Sequence, residues 1–145
     1  MDVETILATK GRQVATIGPE ATVSSAVVQL RSKLIGALVV SSDGERVDGI
    51  LSERDIVRGL SSHRGGVLDL RVAQLMTRAV ETCSPKDTVK SIMASMTRHR
   101  VRHLPVVEDG RLCGLVSIGD VVKNRLDEVE TEVNVLRDAY IAHRR

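Results

Sequence analysis

The chain has 145 residues, 21 Lys and Arg against 19 Asp and Glu, and a composition that is 42% hydrophobic but only 1% aromatic. That apolar share suits one ordinary domain, or two small modules on a shared core, and excludes a wholly disordered chain. No run approaches the roughly 20 apolar residues of a membrane span, and the absence of Trp and Phe denies the chain the stacking platforms of single-strand nucleic-acid binders.

In chain order, a short apolar segment at Val3–Leu7 is followed by an extended stretch, Val14 to Ile17, and a turn at Pro19. Val23, Ala26, Val27 and Leu30 then give the i, i+3, i+4, i+7 stripe of a helix with one buried face, with Thr22 as its N-cap. A strand at Ala37–Val40, a hairpin signal at Asp43-Gly44 and a returning strand from Val47 to Leu51 precede a second helix that starts near Ser52. Ser61-Ser62-His63-Arg64-Gly65-Gly66 reads as an exposed linker, placed at 63–71.

The same order then recurs. Thr16-Ile17-Gly18-Pro19-Glu20-Ala21-Thr22-Val23 lines up with Thr82-Cys83-Ser84-Pro85-Lys86-Asp87-Thr88-Val89, and Gly49–Arg58 with Gly114–Lys123. Val3–Leu7 resembles Val72–Met76. The second copy is expected to hold an extended segment from Ala79 to Thr82, a helix with Val89, Ile92, Met93 and Met96 inward and Thr88 as N-cap, and strands at His103–Val107 and Leu112–Val116 around Asp109-Gly110. Pro105 puts the first of these strands at a sheet edge or at its own beginning. The expected divisions are 1–62, a linker, 72–126, and an amphipathic C-terminal helix over 127–145. Leu126, Val129, Val133, Leu136 and Tyr140 form a heptad seam on that helix. The seam fits equally a helix packed on its own domain and a contact between subunits.

This twice-repeated β-α-β-β-α unit resembles a tandem pair of cystathionine β-synthase (CBS) domains, a Bateman module. The residues that carry the resemblance are Ile35–Val40 with Gly49–Asp55, and Val101–Val107 with Gly114–Asp120. The resemblance implies an α+β (α/β-type) fold of two motifs related by a pseudo-twofold axis and facing each other as a disc. It also implies clefts that take adenosine-containing ligands, and a homodimer.

Ser52/Asp55 and Ser117/Asp120 repeat Ser-x-x-Asp between an apolar strand and an apolar helical run. A carboxylate there can accept hydrogen bonds from both hydroxyls of a ribose. The same spacing is a helix-capping signature, and the two roles are compatible. By resemblance Asp55 and Asp120 match the family's ribose-binding acid. Thr16 is then expected across a cleft from Asp120, and Thr82 from Asp55. Ile17, Ile35, Gly36 and Ala37 would flank a purine, while Arg54, Arg100, Arg102 and His103 would meet phosphate, for which planar guanidinium groups suit two oxygens at once. Ile35 serves equally well as core filling. The basic run Arg98–His103, without a counterpart in the first copy, predicts two unequal sites.

No phosphate loop, catalytic constellation or metal set emerges. His99 and His103 stand four apart but lack a third ligand, and Cys83 and Cys113 read as small buried hydrophobes. Two thiols and an N-terminus without signal character suit a reducing cytoplasm. The expected function is regulatory binding of AMP, ATP, NAD or an S-adenosyl compound, with no catalytic cofactor and an unidentified client protein. The alternatives are nucleic-acid binding through Arg98–His103 and a ligand-free dimerisation scaffold.

Overall fold

The computed structural model describes residues 1–144, the last of them by its backbone alone; Arg145, the final residue of the expected C-terminal helix, lies outside the described residues. The elements are α1 (Val3–Lys10), β1 (Thr16–Ile17), α2 (Val23–Lys33), β2 (Ala37–Val40), β3 (Gly49–Ser52), α3 (Glu53–His63), a 3-10 helix (Arg64–Asp69), α4 (Val72–Leu75), α5 (Val89–His99), β4 (His103–Glu108), β5 (Arg111–Ser117) and α6 (Ile118–Arg144). Sheet one runs β1-β2-β3, with β1 parallel and β3 antiparallel to β2; sheet two is the antiparallel pair β4-β5.

The repeat is visible in local chemistry. Thr22 Oγ1 accepts the Ser25 N–H at 3.1 Å and Thr88 Oγ1 accepts the Ser91 N–H at 3.0 Å, so both predicted N-caps are formed. Both helices end on a left-handed residue that is not glycine, Leu34 at φ 53° and Arg100 at φ 54°. The β4-β5 hairpin turns on Asp109 and Gly110, both at positive φ, the conformation a two-residue turn between twisted strands requires. The equivalent loop in the first copy is longer. Asp43 Oδ1 accepts the Glu45 and Arg46 N–H groups, each at 2.8 Å, and β3 begins only at Gly49.

Three expectations change. The second copy's extended segment forms no strand, only a single parallel bridge between Cys83 and Val106. Cys83 N donates to the Pro105 carbonyl, so Pro105 presents its N-H-less side to this sparsely paired edge. Residues 64–69, expected within the linker, are 3-10 helix because Val67 is fully buried there. The helix expected from near Ser117 and the C-terminal helix expected over 127–145 are one element: α6 leaves Ser117 and continues without a break.

The two cores are exchanged. Val3, Ile6 and Leu7 of α1 are buried with Cys83, Val89, Ile92, Met96, Leu104, Val106, Val116 and Val121 of the second copy. Val72 of α4, with Leu75 and Met76 partly buried beside it, joins Ile17, Ala26, Leu30, Leu38, Val40 and Leu51 of the first. Backbone bonds make the exchange reciprocal: Val3 N to Asp87 O and Glu4 N to Pro85 O, both 2.9 Å, match Val72 N to Ala21 O at 2.8 Å and Ala73 N to Pro19 O at 2.9 Å. Each copy therefore completes the other, as a twofold relation demands.

Candidate functional site

The β3-α3 junction builds the first candidate site. Ser52 is the N-cap of α3, and its N–H and hydroxyl both donate to Asp55 Oδ2, at 2.8 and 3.1 Å, while the Asp55 N–H returns to Ser52 Oγ at 3.4 Å. This reciprocal box fixes the carboxylate on the first turn of the helix. Asp55 is only 8% exposed, and its other oxygen, Oδ1, accepts from the Thr77 hydroxyl at 3.2 Å. The capping role is thus real, and it leaves Oδ1 facing a side chain that can rotate away.

Asp55 lines a cavity of about 170 Å³ that opens between the copies. From the first copy come Gly36, Ser52, Arg54 and Arg58; from the second come Arg100, Val101, Arg102 and His103. Arg54 crosses the opening and donates to the Arg100 carbonyl at 3.2 Å. His103 reaches across to Gly36, where an added Cβ would lie 3.2 Å from its Cε1, so a glycine there admits the imidazole. Burial, reinforced by the positive charge of Lys10, pushes the His103 pKa below its usual value and so favours the neutral ring. His99 does not join it: its Nε2 lies 3.5 Å from Glu81, and the two histidines part.

The equivalent carboxylate of the second copy is held differently. Ser117 accepts the Asp120 N–H at 3.2 Å at the start of α6 and donates its own N–H and hydroxyl to Asp120 Oδ2 at 2.8 and 3.0 Å, but the Lys10 ammonium also sits on that oxygen at 2.6 Å and on the Leu115 carbonyl at 2.7 Å. Burial raises the Asp120 pKa, and the Lys10 and Ser117 hydrogen bonds outweigh it, holding the carboxyl below its usual value. The surrounding cavity, about 240 Å³, is lined by Thr5, Thr9, Lys10, Lys123 and Asp127 among others, without an arginine.

Of the residues singled out from the sequence, Gly36, Ser52, Arg54, Asp55, Arg100, Arg102 and His103 come together at the first cavity. Ile35 faces an adjoining apolar hollow with Leu34 and Ile56. Thr16 and Thr82 line neither carboxylate cavity, nor do Ile17 and Ala37; Ile17 and Ala37 are 6% and 1% exposed and serve the core. Ser117 acts through its cap on Asp120. Sequence reasoning missed Thr77, Arg58 and Lys10. Thr77 and Lys10 fall where the two copies differ most, so the repeat gave no signal for them.

The comparisons with known proteins agree with this arrangement. The CBS-domain family model matches residues 3–62 and again 72–127. A mitochondrial CBS domain-containing protein of Arabidopsis thaliana is 37% identical over 124 residues, which make up 83% of this chain and 60% of that one, so the chain spans less than two thirds of that relative. A CBS-domain containing protein from Agrobacterium tumefaciens superposes with a TM-score of 0.83 at 42% identity, over 86% of this chain and 99% of the other. The CBS domain pair of protein MJ0100, solved in complex with 5′-methylthioadenosine and S-adenosyl-L-methionine, shares the fold at a TM-score of 0.78 and 22% identity, over 88% and 98% of the two chains. With two matched copies of the domain, each completing the other's core, the chain belongs to the CBS-domain family.

Proposed function

We propose that the protein is a regulatory module that binds a phosphorylated adenosine compound, of the AMP, ATP or NAD type, in the Asp55 cavity. The observation that carries this reading is the junction itself: a buried carboxylate from one copy lines the same cavity as Arg100, Val101, Arg102 and His103 of the other. A ribose hydroxyl would take the place of the Thr77 hydroxyl on Asp55 Oδ1, and Arg54, Arg58, Arg100 and Arg102 would meet the phosphate. A nucleoside with bound phosphate would tie the copies together, and the shape that fits it best would gain population in proportion to that preference. MJ0100 supports the adenosine part of the ligand, because a domain pair of the same fold was solved with two adenosine compounds, neither of them phosphorylated; the phosphate rests on the arginines alone. The arginines converge on a cavity rather than a flat face, which favours a small ligand over nucleic acid. The reading includes a homodimer, a client protein that senses it, a reducing cytoplasmic setting suited to free Cys83 and Cys113, and no catalytic step.

Calorimetry with adenosine, AMP, ATP and NAD tests it. One site per chain is expected, phosphorylated ligands binding tighter than adenosine. Arg102→Ala should remove that advantage, and Asp55→Ala should abolish binding. Two identical sites indifferent to phosphate, or no heat and no thermal stabilisation by any ligand, would overturn the proposal.

A further inference from the structure

The distal part of α6 belongs to no core. Val121, 1% exposed, is its last buried residue, and every residue with a described side chain from Val129 to His143 is exposed. Yet Val122, Leu126, Val129, Val133, Leu136 and Tyr140 recur at alternating steps of four and three, with exposures from 42% to 70%. No described residue of this stretch is buried, so packing on its own domain, one of the two readings open at the sequence level, does not cover it. The stripe is about 27 Å long at 1.5 Å per residue.

With Leu126, Val133 and Tyr140 as a positions and Val122, Val129 and Leu136 as d positions, the flanking e and g positions carry a pattern of charge. The e positions are Lys123, Glu130 and Arg137; the g positions are Arg125, Glu132 and Ala139. In a parallel two-stranded coil each g residue faces the e residue five positions on in the other strand. That sets Arg125 against Glu130 and Glu132 against Arg137, opposite charges both times, and symmetry doubles both pairs. An antiparallel pair overlapping over the whole seam would instead set Glu130 on Glu130 and Glu132 on Glu132, with Lys123 on Arg137. Sliding that antiparallel pair by one heptad toward the tips recovers Glu130 with Arg137 but leaves the Val122 layer unpartnered. Arg125 now bonds Glu128 in its own helix at 2.9 Å, an exposed contact that the cross-strand pair can replace at little cost.

We infer that the occupant of this seam is a second copy of the same chain, joined as a parallel coiled coil from Val122 to Tyr140. The inference rests on the dimer named in the proposed function and specifies its surface; it does not depend on the ligand. Under three heptads make a weak zipper in isolation, so the two folded modules at the root must lie side by side, holding the strands at high effective concentration.

Light scattering and sedimentation of the full chain test the inference. Wild type is expected at twice the 15.8 kDa chain mass. Val133→Asp, at a site that is 50% exposed in the single chain, should keep its circular dichroism and melting temperature but raise the dimer dissociation constant by at least ~30-fold. Glu132→Arg should weaken the dimer about 10-fold by opposing Arg137, and adding Arg137→Glu should restore it. In a Cys113→Ser background, Leu126→Cys should cross-link to itself, which both antiparallel registers above forbid because they set residue 126 against 136 or 143. A dimer indifferent to Val133→Asp, no rescue by the charge exchange, or no Leu126→Cys cross-link overturns the parallel seam while leaving the dimer standing. A monomeric wild type overturns both.

Discussion

The exchanged cores meet closely where α1 crosses β5, and that contact can be made to report on itself. A Cβ added to Gly114 would fall 2.7 Å from Leu7 Cδ2 and 3.1 Å from its Cδ1, and Leu7 is 1% exposed, with no free space to yield into. Gly114 has no positive φ, so an alanine meets only this obstacle. Gly114→Ala should therefore cost about 1–3 kcal/mol through overpacking. Leu7→Ala, which empties a fully buried leucine site, should cost about 3–4 kcal/mol. The two changes are complementary in volume, so the double variant should be less destabilised than the sum by at least ~1 kcal/mol. Urea unfolding of the four proteins, with linear extrapolation, measures the coupling. Hydrogen exchange adds the location: in Leu7→Ala, protection should fall first in β4 and β5, not in β2 and β3. Additivity within about 0.5 kcal/mol, or loss of protection confined to the first sheet, would show that α1 does not complete the second copy's core.

Three further outcomes follow from the titrating groups. Asp120 is held below its usual pKa of 3.8 by Lys10 and Ser117, so its contribution is complete above that pH and is lost as the pH falls through the lower folded value; Asp120→Asn should flatten the acid limb of the stability curve, by under about 1 kcal/mol given side-chain exposures of 23% and 35% for the pair. An unchanged acid limb would remove the ion pair from the account. His103, lowered by burial, should titrate by NMR with a midpoint below 6.5, and stability should decline as the pH drops from 6.5 through that folded value; a midpoint at or above 6.5 contradicts the buried ring. Burial pushes the Cys83 thiol up to about 12, so at pH 8 a thiol reagent should leave it unmodified in the native protein and label it on unfolding; native labelling at the unfolded rate would place it on the surface.

The parts of the fold that were legible in the sequence are those fixed by short-range chemistry. Thr22 and Thr88 declare helix starts because a hydroxyl must meet an N–H three residues on, and Ala37–Val40 declares a strand because both of its faces are buried. Asp55 was legible as a cap, and the box that caps α3 is what places its carboxylate on the cavity wall. Partner choice was not legible. The apolar pattern of Val3, Ile6 and Leu7 says that one face is buried and nothing about which sheet buries it, so the exchange of α1 and α4 appears only in three dimensions. Val67 was hidden for a similar reason: a lone valine beside Gly65-Gly66 carries no period, and burial by α3 and α2 decides its conformation.

The inequality of the two clefts has a cause in that exchange. The head helices are the least similar parts of the copies: α1 runs eight residues to Lys10, whereas α4 stops after four, at Leu75. The extra turn of α1 delivers an ammonium to Asp120, where it is held by two acceptors. The early end of α4 lets Thr77 pair through its backbone with Ile50, at 2.9 and 3.0 Å, and offers Asp55 a hydroxyl instead. A hydroxyl yields to a competing donor by rotating about one bond. An ammonium bonded to both a carboxylate and a carbonyl must break two charge-assisted contacts before a sugar diol can take its place. Identical capping boxes thus leave one carboxylate facing a hydroxyl and the other held under an ammonium, and the arginines of the second copy lie on the side of the first. Duplication supplied the carboxylate twice, and one turn of helix decides which copy of it faces a cavity lined by arginines.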